Sequence, residues 1–388
     1  MLDLLIKNGL AYVDGDFRKC DIAVKDGKIA AVAECGLFGD GDAMRSIEAE
    51  GKYVTPGGID THIHIRDPGH ADRETFYTGT LSAAQGGCTT ILEHPISTPP
   101  QYNKEILDNR KRIAADNCVV DYAFYGAAGG QYPEEIVPLS KEGIVAYKSF
   151  LHQAPAGREG EFVGLTLAND AEIMTGMREI AKTGLMMASH AENNDMIVHN
   201  IEEFRAKGWT KPIDHCKSRP AITEYSTVSK LILMAKATGC KLELAHMSTP
   251  ESCELAKQAK SEGQSVFVET CPHYLLLDES YLEKFGSFAR CNPPLRAKEA
   301  VERMLFPYKF FDIRIKIKID GNEICIHDQE IFKKCKEYIT STDGYKKRIE
   351  RLSLVNQKIR IQEQNNGRLN AVVLDSSERS RKKKHLLK

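Results

Sequence analysis

An α/β fold, a TIM-like (β/α)8 barrel preceded by a small β-sheet unit, is predicted by three features of the sequence. Short apolar runs alternate with helix-like stretches from about residue 57 to residue 305, and repeated βα units build parallel sheets that close into barrels. Ligand-type side chains recur at the ends of those runs. The opening stretch, 1–56, has strands and turns but no helical pattern.

That opening stretch reads as a small sheet. Leu4–Gly9 and Ala11–Gly15 each end in a turn pair, and Asp21–Val32 is strand, Asp26-Gly27 turn, strand, a strong hairpin signal. The barrel part, 57–305, starts with Gly57-Gly58-Ile59-Asp60-Thr61-His62-Ile63-His64, where the glycines allow a tight approach and Asp67-Pro68-Gly69 breaks the strand. Further strands are expected at 89–93, 119–126, 143–148, 185–190, 241–246 and 265–270, with helices over 102–116, 171–183, 224–239 and 252–263.

Residues 306–388 are of another kind. They hold 20 Lys and Arg against 11 Asp and Glu, whereas residues 1–305 hold 33 against 43. Of 29 glycines, 26 lie before residue 306, and loop-rich catalytic architecture needs glycine. Asp312–Asp320 alternates Ile with charge, which suits a strand with one exposed face and not a barrel strand buried on both. Arg379–Lys384 reads as a solvated, disordered basic tail.

Bulk properties exclude several classes. A net charge of -1 gives no sign of a nucleic-acid partner. No run of about 18 apolar residues suggests a membrane span, and the N-terminus lacks the pattern of a signal peptide. Eleven cysteines, with no Cys-x-x-Cys pair, are expected as free thiols in a reducing cytoplasm.

The chemistry lies at the strand ends. His62 and His64, two apart on a strand, point to the same side and make half of a metal site. Lys148, His190 and His246 end later strands, and chemistry in β/α barrels gathers at those ends. One His after an apolar run is ordinarily a satisfied polar group; five ligand-type residues, four of them His, at the ends of four runs favour metal. A protonated Lys is no ligand and would ordinarily be an exposed or salt-bridged amine. Desolvated near cations it becomes neutral and nucleophilic. A neutral amine adds CO2 to give a carbamate that bridges two divalent metals as a carboxylate would. Such a pair activates water and polarises a carbonyl oxygen, so the expected reaction is hydrolysis of a carbonyl–nitrogen bond.

Over residues 1 to about 305 the chain resembles the cyclic amidohydrolases: allantoinases, hydantoinases (dihydropyrimidinases) and dihydroorotases. The resemblance rests on Pro56–His64, Gly86–Thr90, Tyr147-Lys148, His190–Asn193, Ser218–Pro220, Ala245–Ser248, Glu269–Leu275 and Asn292–Arg296. It implies two Zn2+ per chain, His62 and His64 on one, His190 and His246 on the other, and carboxylated Lys148 between them. It also implies a small β-sandwich domain built from both chain ends, with residues 367–375 resembling its closing strand, a small cyclic amide as substrate, and a homotetramer or dimer.

Substrate-binding candidates are Arg66 and Asn292. Arg66 stands where dihydroorotases place the partner of the substrate carboxylate; otherwise it pairs with Asp67 or Asp72. Asn292 contacts the substrate ring or caps a strand end. Where dihydroorotases tend to read Met-Pro-Asn-Thr, this chain reads His94-Pro95-Ile96-Ser97, and Ile96 cannot donate a hydrogen bond. An allantoinase- or hydantoinase-like ring opening is therefore preferred, with dihydroorotase second. The family also expects Ser/Thr-Asp-His-x-Pro after an eighth strand, its Asp a ligand and general base. That motif is not found here; Asp328 and Asp343 are the weak candidates for the base. A catalytically impaired scaffold on the same barrel is the reading from another class.

Overall fold

The computed structural model describes residues 1–155 and 157–305, together with the backbone of two strands at 316–319 and 322–325. Asp328 and Asp343, the 367–375 segment and the basic tail lie outside the described residues.

The first sheet contains β1 (Leu4–Val13), β2 (Asp16–Lys25), β3 (Lys28–Ala33), β4 (Ser46–Glu48) and β5 (Tyr53–Val54). Its order is β3-β2-β1-β4, with β5 also paired to β1. Asp14-Gly15 and Asp26-Gly27 have positive φ at both positions, 52° and 89°, then 51° and 70°, as two-residue hairpins favour. The Asn8-Gly9 pair expected as a turn is instead an irregularity inside β1, where the register shifts between Ile6 and Gly9. Asn8 adopts φ 61°, and its N–H donates to Asp21 Oδ1 at 2.7 Å. The displaced backbone group is thus satisfied without ending the strand.

The second sheet is parallel and runs in chain order: β6 (Gly58–Ile63), β7 (Cys88–Glu93), β8 (Asp121–Ala127), β9 (Ala146–Phe150), β10 (Met186–His190), β11 (Lys241–Leu244) and β12 (Val266–Val268). The helices are α1 (Phe76–Gln85), α2 (Lys104–Asn117), α3 (Ile136–Leu139), α4 (Asp170–Thr183), α5 (Asn194–Ala206), α6 (Asp214–Ser218), α7 (Ala221–Thr238), α8 (Pro250–Ser261), α9 (Pro272–Leu276), α10 (Ser280–Phe285) and α11 (Lys298–Leu305). A separate antiparallel pair joins β13 (Lys316–Ile319) to β14 (Asn322–Cys325).

Local signals explain where the expected elements moved. Asn103, Asn169 and Thr249 each accept a hydrogen bond from the backbone N–H three residues on, which fixes the starts of α2, α4 and α8. Gly184 and Gly239, both at φ 72°, stop α4 and α7. The fourth strand begins at Ala146, not Gly143, because Gly143 at φ 79° ends the preceding turn of helix. Ile91, Leu107, Phe124, Tyr147, Met177, Met187, Leu231 and Leu242 form the main core.

The sheet is curled. His62 on β6 and Glu269, just beyond β12, belong to strands at opposite ends of the sheet, yet their side chains meet at 2.8 Å. The same two edge strands expose Ile59 (63%), Phe267 (46%) and Val268 (41%). No strand among the described residues lies between them. The described part is therefore a TIM-like barrel with an open seam where an eighth strand would stand.

Gly57 sets how closely the first strand approaches the second, since a Cβ there would lie 2.1 Å from Thr89 Oγ1 and 2.7 Å from Thr89 Cβ. Gly57→Ala is expected to cost about 1–3 kcal/mol by overpacking. Gly58→Ala, whose methyl would meet Cys88 Sγ at 3.3 Å, should cost less. Urea midpoints of the two variants test this order.

Candidate metal centre and active site

Four parallel strands deliver the five predicted side chains to one mouth. His62 lies on β6 and His64 one residue past its end; alternation along the strand turns both inward. Lys148 sits mid-way along the fully buried β9. His190 ends β10, and His246 follows β11 by two residues. Register places Lys148 opposite Ala188 and Ala188 opposite Glu243, so Lys148, Glu243 and, one side-chain step on, His190 share the inner face.

The imidazoles form two pairs. His62 Nε2 lies 3.2 Å from His64 Nε2, and His190 Nδ1 lies 3.2 Å from His246 Nε2. Two nitrogens held about 2.0–2.1 Å from one tetrahedral zinc stand about 3.3 Å apart, so each pair is spaced as two ligands of one ion. Carboxylates set which nitrogen faces inward. His62 Nδ1 donates to Glu269 at 2.8 Å, leaving Nε2 free to face His64. His190 Nε2 donates to Glu192 at 2.8 Å, leaving Nδ1 free to face His246. Such an outer carboxylate on a ligating His fixes its tautomer and raises its basicity.

Lys148 lies within electrostatic reach of His62, His64 and His246. Its Nζ is buried and has no hydrogen-bond partner among the described residues, and the same holds for His64 Nδ1 and His246 Nδ1. Burial pulls the amine down to about 8, with Glu269 and Glu243 opposing the fall. His62 is held near 2 by burial first and Lys148 second. His64 and His246 are pushed far below the ordinary imidazole value, chiefly by burial. Neutral imidazoles and a readily deprotonated amine are the protonation states a metal requires. Among the described residues no three His, Cys, Asp or Glu side chains form a ready chelating cluster. The donors stand as two His pairs with the Lys148 amine beside them, and that set fits a bridged pair of metal ions once the amine carries an anionic group.

A buried network supports the second pair. Arg219 Nη1 donates to Glu192 at 2.9 Å, and Arg296 Nη1 donates to the carbonyl of Arg219. Arg296 Nε donates to Ser248 Oγ at 2.9 Å. Glu224 then accepts from the backbone N–H groups of Ser248 and Thr249 at 3.1 and 3.0 Å, and from the hydroxyls of Ser248, Thr249 and Ser252. This clamps the chain just after His246, whose φ of 47° lies in the left-handed region and needs such holding.

The substrate candidates fare differently. Arg66 pairs with neither Asp67 nor Asp72 but with buried Glu161, which also holds Arg158 at 2.7 Å. Asn292 is exposed. Ile96 is buried with Phe150, Phe162 and Leu165 in an apolar wall, and Phe150 stacks on His190 at 5.4 Å.

Several members were not singled out from the sequence. Glu269 and His94 each stand one residue past a strand, the position that carries His64. His152, two residues beyond β9, has its ring 6.0 Å from His190. The strand-end rule applied to every polar residue, and not only to the four histidines with recognisable surroundings, would have found all three.

The fold and this ring of inward imidazoles define the class: a hydrolase-type β/α barrel of the amidohydrolase kind. Residues 53–284 match the amidohydrolase family. The chain belongs to that family, and within it to the cyclic amidohydrolases. It is similar to an allantoinase of Escherichia coli, 35% identical over 324 residues, 83% of this chain and 70% of the relative. An allantoinase of Salmonella paratyphi B is 34% identical over the same shares. In structure it resembles an L-hydantoinase (dihydropyrimidinase) from Arthrobacter aurescens, with TM-score 0.72 and 31% identity, over 79% of this chain and 66% of that one. A D-hydantoinase (dihydropyrimidinase) from Thermus sp. gives TM-score 0.68 and 26% identity over 85% and 71%. The chain thus spans about two thirds of the L-hydantoinase and 70% of the allantoinases.

The Glu161 cluster gives a pH test. Hydrogen bonds from Arg158 hold the carboxyl down to about 2, against burial and below its ordinary 4.5. A depressed carboxyl contributes stability that is present above the ordinary value and lost as pH falls through the folded one. Glu161→Gln is expected to cost about 1–3 kcal/mol near neutrality. That difference should shrink between about pH 4.5 and pH 2 in denaturation curves of the two proteins.

Proposed function

We propose that this chain is a binuclear metal hydrolase that opens a neutral cyclic amide or ureide, in the manner suggested by its allantoinase and hydantoinase relatives. It acts on a carbon–nitrogen bond other than a peptide bond. The observation that carries this reading is Lys148: a fully buried amine with no hydrogen-bond partner among the described residues, beside two histidine pairs at ligand spacing.

His62, His64, His190, His246 and a carboxylated Lys148 would hold two zinc ions, which when bound supply an activated water and a Lewis acid for the ring carbonyl. The chain's own residues do the rest. Glu269 and Glu192 keep His62 and His190 in their working tautomers. The Ile96–Phe150–Phe162 wall offers an apolar face beside the centre and excludes water from that side. Arg66 is already paired with a buried carboxylate, which favours a neutral ring over the carboxylate-bearing dihydroorotate. The nine described cysteines are all free, in keeping with a reducing, cytoplasmic setting. A homodimer or tetramer is part of the same proposal.

A scaffold reading is favoured by the open seam. Among the described residues no aspartate follows an eighth strand to serve as general base. Metal analysis with hydrolysis assays on allantoin, hydantoin and dihydroorotate separates the two. About two zinc per chain with turnover of allantoin or hydantoin is the expected result. Bound zinc without turnover of any of them would leave the scaffold. Lys148→Ala should lower the zinc content; unchanged content in that variant removes the carbamate from the site.

A further inference from the structure

Resting on the metal reading above, we propose that His94 is a positioning residue whose ring is a flat plate fixing the plane of the His62 imidazole. His94 is fully buried. Its ring stacks on that of His62 with centroids 3.8 Å apart and planes 7° from parallel. The ring of Tyr125 covers it at 3.8 Å, and the Tyr125 hydroxyl donates to Glu243 at 3.3 Å. The plate is therefore backed by a side chain that is itself anchored in the barrel wall.

Its attachment points are specific. The backbone N–H of His94 donates to the carbonyl of Ile63 at 2.8 Å, and its Nε2 lies 3.1 Å from the carbonyl of Thr61, as donor. Thr61 and Ile63 are the two chain neighbours of His62. One residue of the second strand thus grips the first strand on both sides of a ligand and lays its ring along that ligand's face. Glu269 fixes the edge of the His62 ring through Nδ1, which lies 2.8 and 3.0 Å from its two oxygens; this holds one edge of the ring, and a stacked plate holds its face. Together they keep Nε2 aimed toward His64. With Nε2 donating, His94 Nδ1 is unprotonated, and it has no partner among the described residues.

The test compares His94→Phe, which keeps a flat ring and loses both nitrogens, with His94→Leu, which fills space without a flat face. Zinc affinity of the full chain is measured by chelator competition. Loss of an outer contact to a metal ligand costs about 10–100-fold in affinity. His94→Leu should lose zinc affinity on that scale, and His94→Phe should rescue it to within a few-fold of the parent. Equal losses in the two variants would overturn the plate in favour of a role for the nitrogen. Parent-like affinity in His94→Leu would overturn it outright. Long-range 1H–15N spectra of histidine-labelled parent protein need no variant to fold. On zinc addition His94 Nδ1 should keep the shift of a free unprotonated nitrogen; movement to a ligated shift would refute the plate and make His94 a ligand. A parent protein that takes up no zinc sinks the metal reading itself, whereas a zinc-replete parent with an indifferent His94→Leu sinks only this inference.

Discussion

The constraint on which the rest depends is the burial of one amine. Lys148 lies in the middle of a strand whose every residue is buried, and the structure gives its Nζ no acceptor among the described residues. An isolated ammonium in such a place costs several kcal/mol even after relaxation. Glu243 and Glu269 lie near enough to pull its titration upward, yet burial wins. The amine is therefore easily neutral, and a neutral amine surrounded by inward imidazoles is stable only as part of something larger. Buried polar groups are nearly always satisfied; here the Lys148 amine, beside two imidazole pairs, has no hydrogen-bond partner among the described residues.

The surrounding structure spends its polar contacts on orientation. His62 is tied through Nδ1 and His190 through Nε2, so the two rings present opposite nitrogens to the centre. That difference follows from where each carboxylate comes from. Glu269 reaches His62 across the seam from the far edge of the sheet, whereas Glu192 is two residues along the chain from His190. The Arg219–Arg296–Ser248–Glu224 chain then connects the loop after β10 to the loop after β11. Ligands from separate strands are held in one arrangement by a network that shares members, so disturbance at one strand end is felt at the next.

Much of this was legible in the sequence, and the reason is periodicity. Apolar runs ending in His or Lys gave the parallel strands and five convergent residues, because strand alternation and the βα repeat leave few other places for them. Turn chemistry at Asp26-Gly27 was equally readable. Asn8-Gly9 was not, because a bulge and a turn use the same left-handed residue, and only the distant Asp21 and Glu48 decide between them. The ion-pair partner of Arg66 was not legible, because Glu161 lies 95 positions away and not among the neighbouring Asp67 and Asp72. His94 looked like a departure from a substrate-binding motif. Its partners at Thr61, Ile63 and Tyr125 become visible only when two strands and a third are laid side by side.

The seam and the unlocated base are aspects of one physical fact. In a β/α barrel the eighth strand does two jobs: it covers the edges of the first and seventh strands, and its carboxyl end faces the mouth. Here Ile59, Phe267 and Val268 remain uncovered on those edges, and among the described residues no aspartate stands at the corresponding end. The His62–Glu269 contact nonetheless closes the mouth across the gap, so the arrangement of the histidines and Lys148 does not require the eighth strand. On the proposed reading, metal binding and turnover are then separable. The first rests on β6 to β12 and the segments that follow them, Arg219 and Arg296 included. The second needs a proton carrier between attacking water and leaving nitrogen; Glu269 and Glu192 each already accept from an imidazole, and Glu243 accepts from Tyr125.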